Sequence, residues 1–232
     1  MSGTMIITGT SKGIGRDLVD YYMGKGWTVA GCARSEMETP PEGYHHYTLD
    51  VSDEAAVQAM VMDVDRNLGP IKVLLNNAGI ASMNHALLTP LKTVDRIFRT
   101  NVYGSFLFAR EAAKTMMRGR YGRIVNFATV ATPLKLEGEL AYAASKAAVC
   151  SMTEILAKEV GGFGVTVNAV GPTPVQTDLI KGVSDAKIGA LIDSQSVKRM
   201  GEYRDIQNVI DFFIDEQSDF VTGQTLYLGG IS

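Results

Sequence analysis

Thr8-Gly9-Thr10-Ser11-Lys12-Gly13-Ile14-Gly15 follows the apolar run Met5-Ile6-Ile7 and opens a helical pattern that continues to about Lys25. Position gives this turn its meaning. Glycines permit positive φ and let main-chain amides approach a phosphate closely. The start of the following helix adds unpaired N–H groups and the positive end of its dipole, a setting for a pyrophosphate. An ordinary turn is the competing reading in a chain with 24 glycines. The strand–turn–helix context favours the nucleotide.

Outward from the turn, short apolar runs alternate with helical patterns. Strands are expected at 27–32, 46–49, 73–75, 123–128, 165–170 and 224–228. Helices are expected at 53–67 with Ser52 as N-cap, 93–118, 141–160 and 205–215. The stretch 172–199 begins with Pro172 and Pro174 and is expected to hold a mobile helical element. This order implies an α/β fold: a doubly wound parallel sheet with helices on both faces. Near-continuous apolar strands such as Val73-Leu74-Leu75 fit a sheet covered on both sides. No linker, charge block or repeat divides the chain, so residues 1–232 are read as one domain.

The chain has 232 residues, 46% of them hydrophobic and 20% charged, with net charge −3. That fills a sizeable core and excludes disorder and collagen-like architectures. It does not suggest broad nucleic-acid or anionic-membrane binding. No apolar run approaches the roughly 20 residues that span a bilayer, and Met1-Ser2-Gly3-Thr4 opens no signal peptide. A soluble, cytoplasmic protein is expected. Cys32 and Cys150 make no CxxC pattern, and His45, His46 and His85 lack metal-ligand spacing, so neither a disulfide framework nor a metal site is expected.

The second strand bears on the nucleotide. It runs Val29-Ala30-Gly31-Cys32-Ala33-Arg34-Ser35 and places a cation where an acid would favour NAD. With Lys12, two cations and the Ser35 hydroxyl suit a 2′-phosphate, hence NADP(H). Tyr142 and Lys146 stand four residues apart, on one helix face. A nearby cation favours phenolate, which suits a general acid/base. Tyr21 and Lys25 share this spacing but lie late in the first helix, and read as structural. Tyr142 is singled out by Thr129, which ends a strand 13 residues earlier.

Together these residues resemble the short-chain dehydrogenase/reductase family, over essentially the whole chain. The resemblance rests on Thr8–Gly15, Asp50, Asn77-Ala78-Gly79, Asn101, the Tyr142/Lys146 pair and Pro172-Thr173…Thr177. Lys198-Arg199-Met200-Gly201-Glu202 and the segment 221–226 look like the branch of 3-oxoacyl-carrier-protein reductases. The resemblance implies a Rossmann-type sheet and a homotetramer or homodimer. It implies Tyr142 as proton donor, Lys146 as ribose ligand that lowers the Tyr142 pKa, and Asn101 as holder of a relay water. An amide that satisfies backbone groups is the plainer reading of Asn101. Asp50 and Val51 would border adenine, although Asp50 also suits capping the next turn. Asn77, Ala78, Gly79, Pro172, Thr173, Val175 and Thr177 would line the rest of the cofactor cleft, and 173–200 would form a substrate lid.

Three positions depart from the pattern. Thr129 replaces the usual serine, keeping the hydroxyl but adding a β-branch. Thr173 replaces a glycine beside the nicotinamide. Phe163 stands where carrier-protein reductases place a base, leaving Arg118 and Arg120 as a candidate docking patch. The leading reading is an NADPH-dependent ketoreductase acting on a 3-oxoacyl thioester, small or carrier-bound. The same chemistry on a sugar or other small carbonyl or alcohol is the alternative, and a non-catalytic nucleotide-binding scaffold is the third.

Overall fold

The computed structural model describes residues 2–176 and 184–231. Seven strands form one sheet: β1 (Thr4–Thr8), β2 (Thr28–Ala33), β3 (His45–Thr48), β4 (Ile71–Asn76), β5 (Gly122–Phe127), β6 (Val165–Gly171) and β7 (Thr225–Tyr227). Every pairing is parallel, in the order 3-2-1-4-5-6-7. This is the Rossmann-type sheet. The winding reverses between β1 and β4, where such sheets open a crevice at their carboxyl ends.

Eight α-helices are described: α1 (Gly13–Gly24), α2 (Glu54–Asn67), α3 (Leu91–Phe98), α4 (Gly104–Gly119), α5 (Ala131–Leu134), α6 (Leu140–Val160), α7 (Asp185–Ser194) and α8 (Tyr203–Ile214). Alternation along β1 divides the core. Ile6 packs to one side with Phe108 of α4 and Val61 of α2; Met5 and Ile7 pack to the other with Leu18 of α1 and Ile210 of α8. All seven of these side chains are buried. Among the described residues, no helix is long and apolar enough to cross a membrane.

Several local expectations change. Asp53, not Ser52, caps α2, accepting from Ala56 N at 3.1 Å. Ser52 instead donates through N and Oγ to Asp50 Oδ1, both at 2.8 Å. The long helix expected at 93–118 is interrupted by a π turn, Arg99–Tyr103, which contains Asn101. Within the stretch 172–199, α7 supplies the expected helical element.

Tyr21 and Lys25 serve the fold. Tyr21 Oη and Lys25 Nζ donate to Asp211 Oδ2 at 2.6 and 2.5 Å, and Tyr22 Oη donates to Asp211 Oδ1 at 3.1 Å. One carboxylate on α8 thereby pins the end of α1. Another polar ladder seats α6: Asn76 Nδ2 donates to Asn126 Oδ1 at 2.9 Å, and Asn126 Nδ2 to Thr153 Oγ1 at 2.8 Å. Buried polar groups are tolerated where they are paired like this. The ladder joins β4, β5 and the helix that carries Tyr142.

Candidate active site

The glycine turn is closed by contacts that exclude side chains. A Cβ on Gly15 would lie 2.2 Å from Gly9 O and 2.4 Å from Asn77 Nδ2. Gly9, at φ +74°, would place one 2.8 Å from Ala78 Cα. Asn77 Nδ2 donates to Thr8 O and Gly9 O at 2.9 and 3.1 Å, while Ala78 N donates to Thr8 Oγ1 at 2.9 Å. The end of β4 is thus stitched to the turn. The N-cap residue Lys12 makes no side-chain cap bond and the first turn of α1 carries no acid, a setting in which the leading N–H groups and the dipole suit an anion. This cradle fits a dinucleotide pyrophosphate.

A cleft of about 680 Å3 runs from the glycine turn to Tyr142. Of the residues singled out in the sequence, Gly9, Ser11, Lys12, Gly13, Ile14 and Gly15 line its first part. Arg34, Asp50 and Val51 line the side toward β2, and Asn77, Ala78 and Gly79 the floor. Thr129, Tyr142, Lys146, Pro172, Thr173 and Val175 line the far end. Thr8, Ser35 and Asn101 stand outside the wall. Thr177 and, of the lid expected over 173–200, residues 177–183 lie outside the described residues.

Arg34 is exposed at the end of β2, close enough to Asp50 for their charges to interact. Burial opposes ionisation of Asp50, but the two Ser52 hydrogen bonds and the Arg34 charge hold its carboxyl below the usual range. Asp50 therefore caps its own turn and also lines the cleft.

At the far end, Tyr142 is buried and its phenol is pushed up to about 12. Burial is the main cause, the neighbouring Thr129 hydroxyl opposes it, and the Glu139 charge adds to it. Thr129 Oγ1 accepts from Ala131 N at 3.2 Å. Lys146 Nζ donates to Phe127 O at 2.7 Å, and burial depresses its pKa to about 8. The lysine shares a helix face with Tyr142, as the spacing predicts, and its ammonium is held by the Phe127 carbonyl. Burial decides both groups.

Asn101 is fully buried. Its Nδ2 donates to Ile80 O and Ser145 Oγ, and its Oδ1 accepts from Ile80 N, all at 2.9 Å. Ser145 Oγ in turn donates to Tyr142 O at 2.7 Å. The side chain thus fulfils the plainer reading, tying the loop after β4 to the helix of the tyrosine. A π turn suits this task because it displaces one residue from the helical ladder.

Other wall residues carry no motif. Glu139 precedes α6 without capping it, and burial raises its carboxyl while Lys187 of α7 opposes the rise. Both line the cleft, with Leu134, Leu136, Ile188 and Leu191. The position of Glu139, three residues before Tyr142, was the available signal. Thr173 is buried between two glycines: a Cβ on Gly201 would lie 2.7 Å from its Oγ1, and one on Gly229 2.9 Å from its Cγ2. The glycine missing at 173 is thus matched by glycines around it.

A buried phenol and a hydroxyl at one end of a cleft, with a phosphate cradle at the other, suit proton exchange with a carbonyl oxygen beside a dinucleotide. The model of the short chain dehydrogenase family matches residues 3–188. The chain is 32% identical over 231 residues to the 3-oxoacyl-[acyl-carrier-protein] reductase of Vibrio harveyi, covering 97% of this chain and 95% of that one. It is 33% identical to a short-chain type dehydrogenase/reductase of Picea abies, with coverage of 97% and 90%. The aldohexose dehydrogenase of Thermoplasma acidophilum superposes with a TM-score of 0.89 at 27% identity, over 99% of this chain and 94% of that one. Fold, cradle and sequence agree: the chain belongs to the short-chain dehydrogenase/reductase family, oxidoreductases that act on CH–OH and C=O groups with a nicotinamide cofactor.

Proposed function

We propose that the protein is an NADPH-dependent ketoreductase in which Tyr142 is the general acid. The convergence of the Tyr142 phenol and the Thr129 hydroxyl at one end of the cofactor-sized cleft carries this reading. The nicotinamide dinucleotide, when bound, supplies the hydride. Tyr142 holds at its Oη the proton that the substrate oxygen requires, and burial keeps it there through the neutral range. Thr129 accepts from Ala131 and directs its own O–H at the same oxygen. Lys146, steadied by Phe127 O, holds the cofactor ribose. Asn101 ties the loop at Ile80 to α6 through Ser145. With these residues intact, the scaffold reading has only the Thr129 replacement in its favour.

A 3-oxoacyl thioester is the first substrate reading. The Vibrio harveyi relative and the apolar wall of Leu134, Leu136, Ile188 and Leu191 support it. A hydroxylated carbonyl or alcohol is the second, favoured by Glu139 and Lys187 in the same wall. Docking of a carrier has little to rest on: Arg118 pairs with Asp65 at 3.0 Å, and Arg120 donates to Gly162 O at 3.2 Å. Steady-state turnover across 3-oxoacyl thioesters, sugars and simple ketones separates the readings. Turnover of sugars alone rejects the first, and turnover of none supports the scaffold.

Lys12 and Arg34 underlie the cofactor choice, each charge-assisted contact contributing about 1.5–3 kcal/mol when well formed. The parent is expected to prefer NADPH, and Arg34→Asp to lose or reverse the preference. Equal efficiency of the parent with NADPH and NADH rejects the assignment.

We also propose a homotetramer. Phe106 of α4 and Ile155 of α6 are exposed, and so are Phe212 of α8, Phe220 and Leu226 of β7. Two such surfaces on different elements suit the two isologous contacts of a dihedral assembly. Light scattering should report four copies at micromolar concentration; a monomer there contradicts it.

A further inference from the structure

A hydrogen-bonded chain runs beside the cofactor cleft, using two side chains, Tyr44 and His46, that lie outside every motif above. Thr10 Oγ1 lies 2.6 Å from Tyr44 Oη, and Tyr44 Oη 3.3 Å from His46 Nδ1. His46 Nε2 lies 3.0 Å from Ser35 O. The chain thus starts in the glycine turn and ends on the main chain next to Arg34. Thr10 is fully buried and Tyr44 is 7% exposed. Gly31, which pairs with His46 across β2 and β3, makes room for it: a Cβ there would lie 2.2 Å from Tyr44 Oη.

The direction of the bonds follows from their ends. A carbonyl oxygen only accepts, so His46 Nε2 donates to Ser35 O. In a neutral ring Nδ1 then accepts from Tyr44, whose oxygen accepts from Thr10. In a protonated ring Nδ1 donates instead, Tyr44 donates to Thr10, and Thr10 donates to Cys32 O, 3.3 Å away. Every polar group is satisfied in both states, so the strut holds whichever charge the ring carries. Neither Tyr44 nor His46 belongs to the cleft wall.

We propose that Tyr44 and His46 are positioning residues for cofactor choice: they brace the Arg34-Ser35 main chain against the glycine turn so that it reads a 2′-phosphate. This rests on the NADP(H) reading. A loop carrying one exposed arginine discriminates poorly if its main chain wanders, since preorganisation is what converts a contact into affinity.

Calorimetry with adenosine 2′,5′-bisphosphate and adenosine 5′-monophosphate tests this without turnover. The parent should bind the bisphosphate more tightly. Tyr44→Phe and His46→Leu should each weaken the bisphosphate about 3- to 10-fold, the worth of one hydrogen bond, and leave the monophosphate unchanged. His46→Gln, which keeps a donor toward Ser35 O, should stay near the parent. Equal weakening of both ligands overturns the proposal, because general loosening would do that. Unchanged bisphosphate affinity in both variants, or His46→Gln behaving as His46→Leu, also overturns it. A parent that binds both ligands equally rejects the NADP(H) reading itself and this role with it, a result visible before any variant is made.

Discussion

Tyr142→Phe is expected to lower turnover about 10²- to 10⁴-fold, the range for removing a general acid. The substitution deletes one oxygen from a ring that is otherwise held by burial, so the packing of α6 remains. Burial is the main cause that keeps the phenol protonated, and the Thr129 hydroxyl that opposes it is already beside the ring. Tyr21→Phe is the matched control. It removes the same atom from the other tyrosine with a lysine four residues on, where the hydroxyl donates to Asp211. Asp211 retains Lys25 and Tyr22, so Tyr21→Phe should leave turnover unchanged and cost at most a modest amount of stability. Similar losses in both variants would show that the cleft does not distinguish the two tyrosines.

The strands and long helices were legible because burial leaves its mark on the apolar pattern. Met5-Ile6-Ile7 and Val73-Leu74-Leu75 are apolar without alternation, and both are covered on two faces. The glycine turn was legible for a related reason, since Gly15 admits no Cβ between Gly9 O and Asn77. Local competition was not. Ser52 and Asp53 are both good caps, and only the pull of Asp50 on Ser52 decides for Asp53. Periodicity is blind to the π turn at Asn101, because one displaced residue leaves the apolar pattern on either side almost unchanged. Long-range polar partners were hidden for the same kind of reason. Asp211 lies 190 residues from Tyr21, and nothing in either stretch announces the other. For Tyr142 and Lys146 the sequence displays only their spacing. Spacing says that two groups share a face, whereas the Phe127 carbonyl and the depth of burial determine what their protons do. Glu139 and Lys187 show the same limit at the Tyr142 end of the cleft, where α7 folds over from a distant part of the chain.

Thr129→Ala is expected to lower turnover about 10²- to 10³-fold, the usual worth of one donor to a developing oxyanion. The hydroxyl has two tasks that must be separated. As an acceptor it receives Ala131 N–H, the first residue of α5; as a donor, in the proposed mechanism, it faces the substrate oxygen. Alanine removes both, so part of any loss would come from a loosened α5. Thr129→Ser restores donor and acceptor together and removes only the methyl, and it should therefore remain active. If the β-branch instead shapes the pocket, Thr129→Ser would change KM among substrates of different width while keeping kcat. Thermal unfolding of Thr129→Ala supplies the remaining control. A variant that unfolds like the parent and yet turns over slowly has lost the donor, since a cap can act only through structure. One that turns over as fast as the parent with its fold intact would leave Thr129 as a packing and capping residue. The proton donor Tyr142 would then work without a second hydroxyl, and the non-catalytic scaffold reading would gain weight.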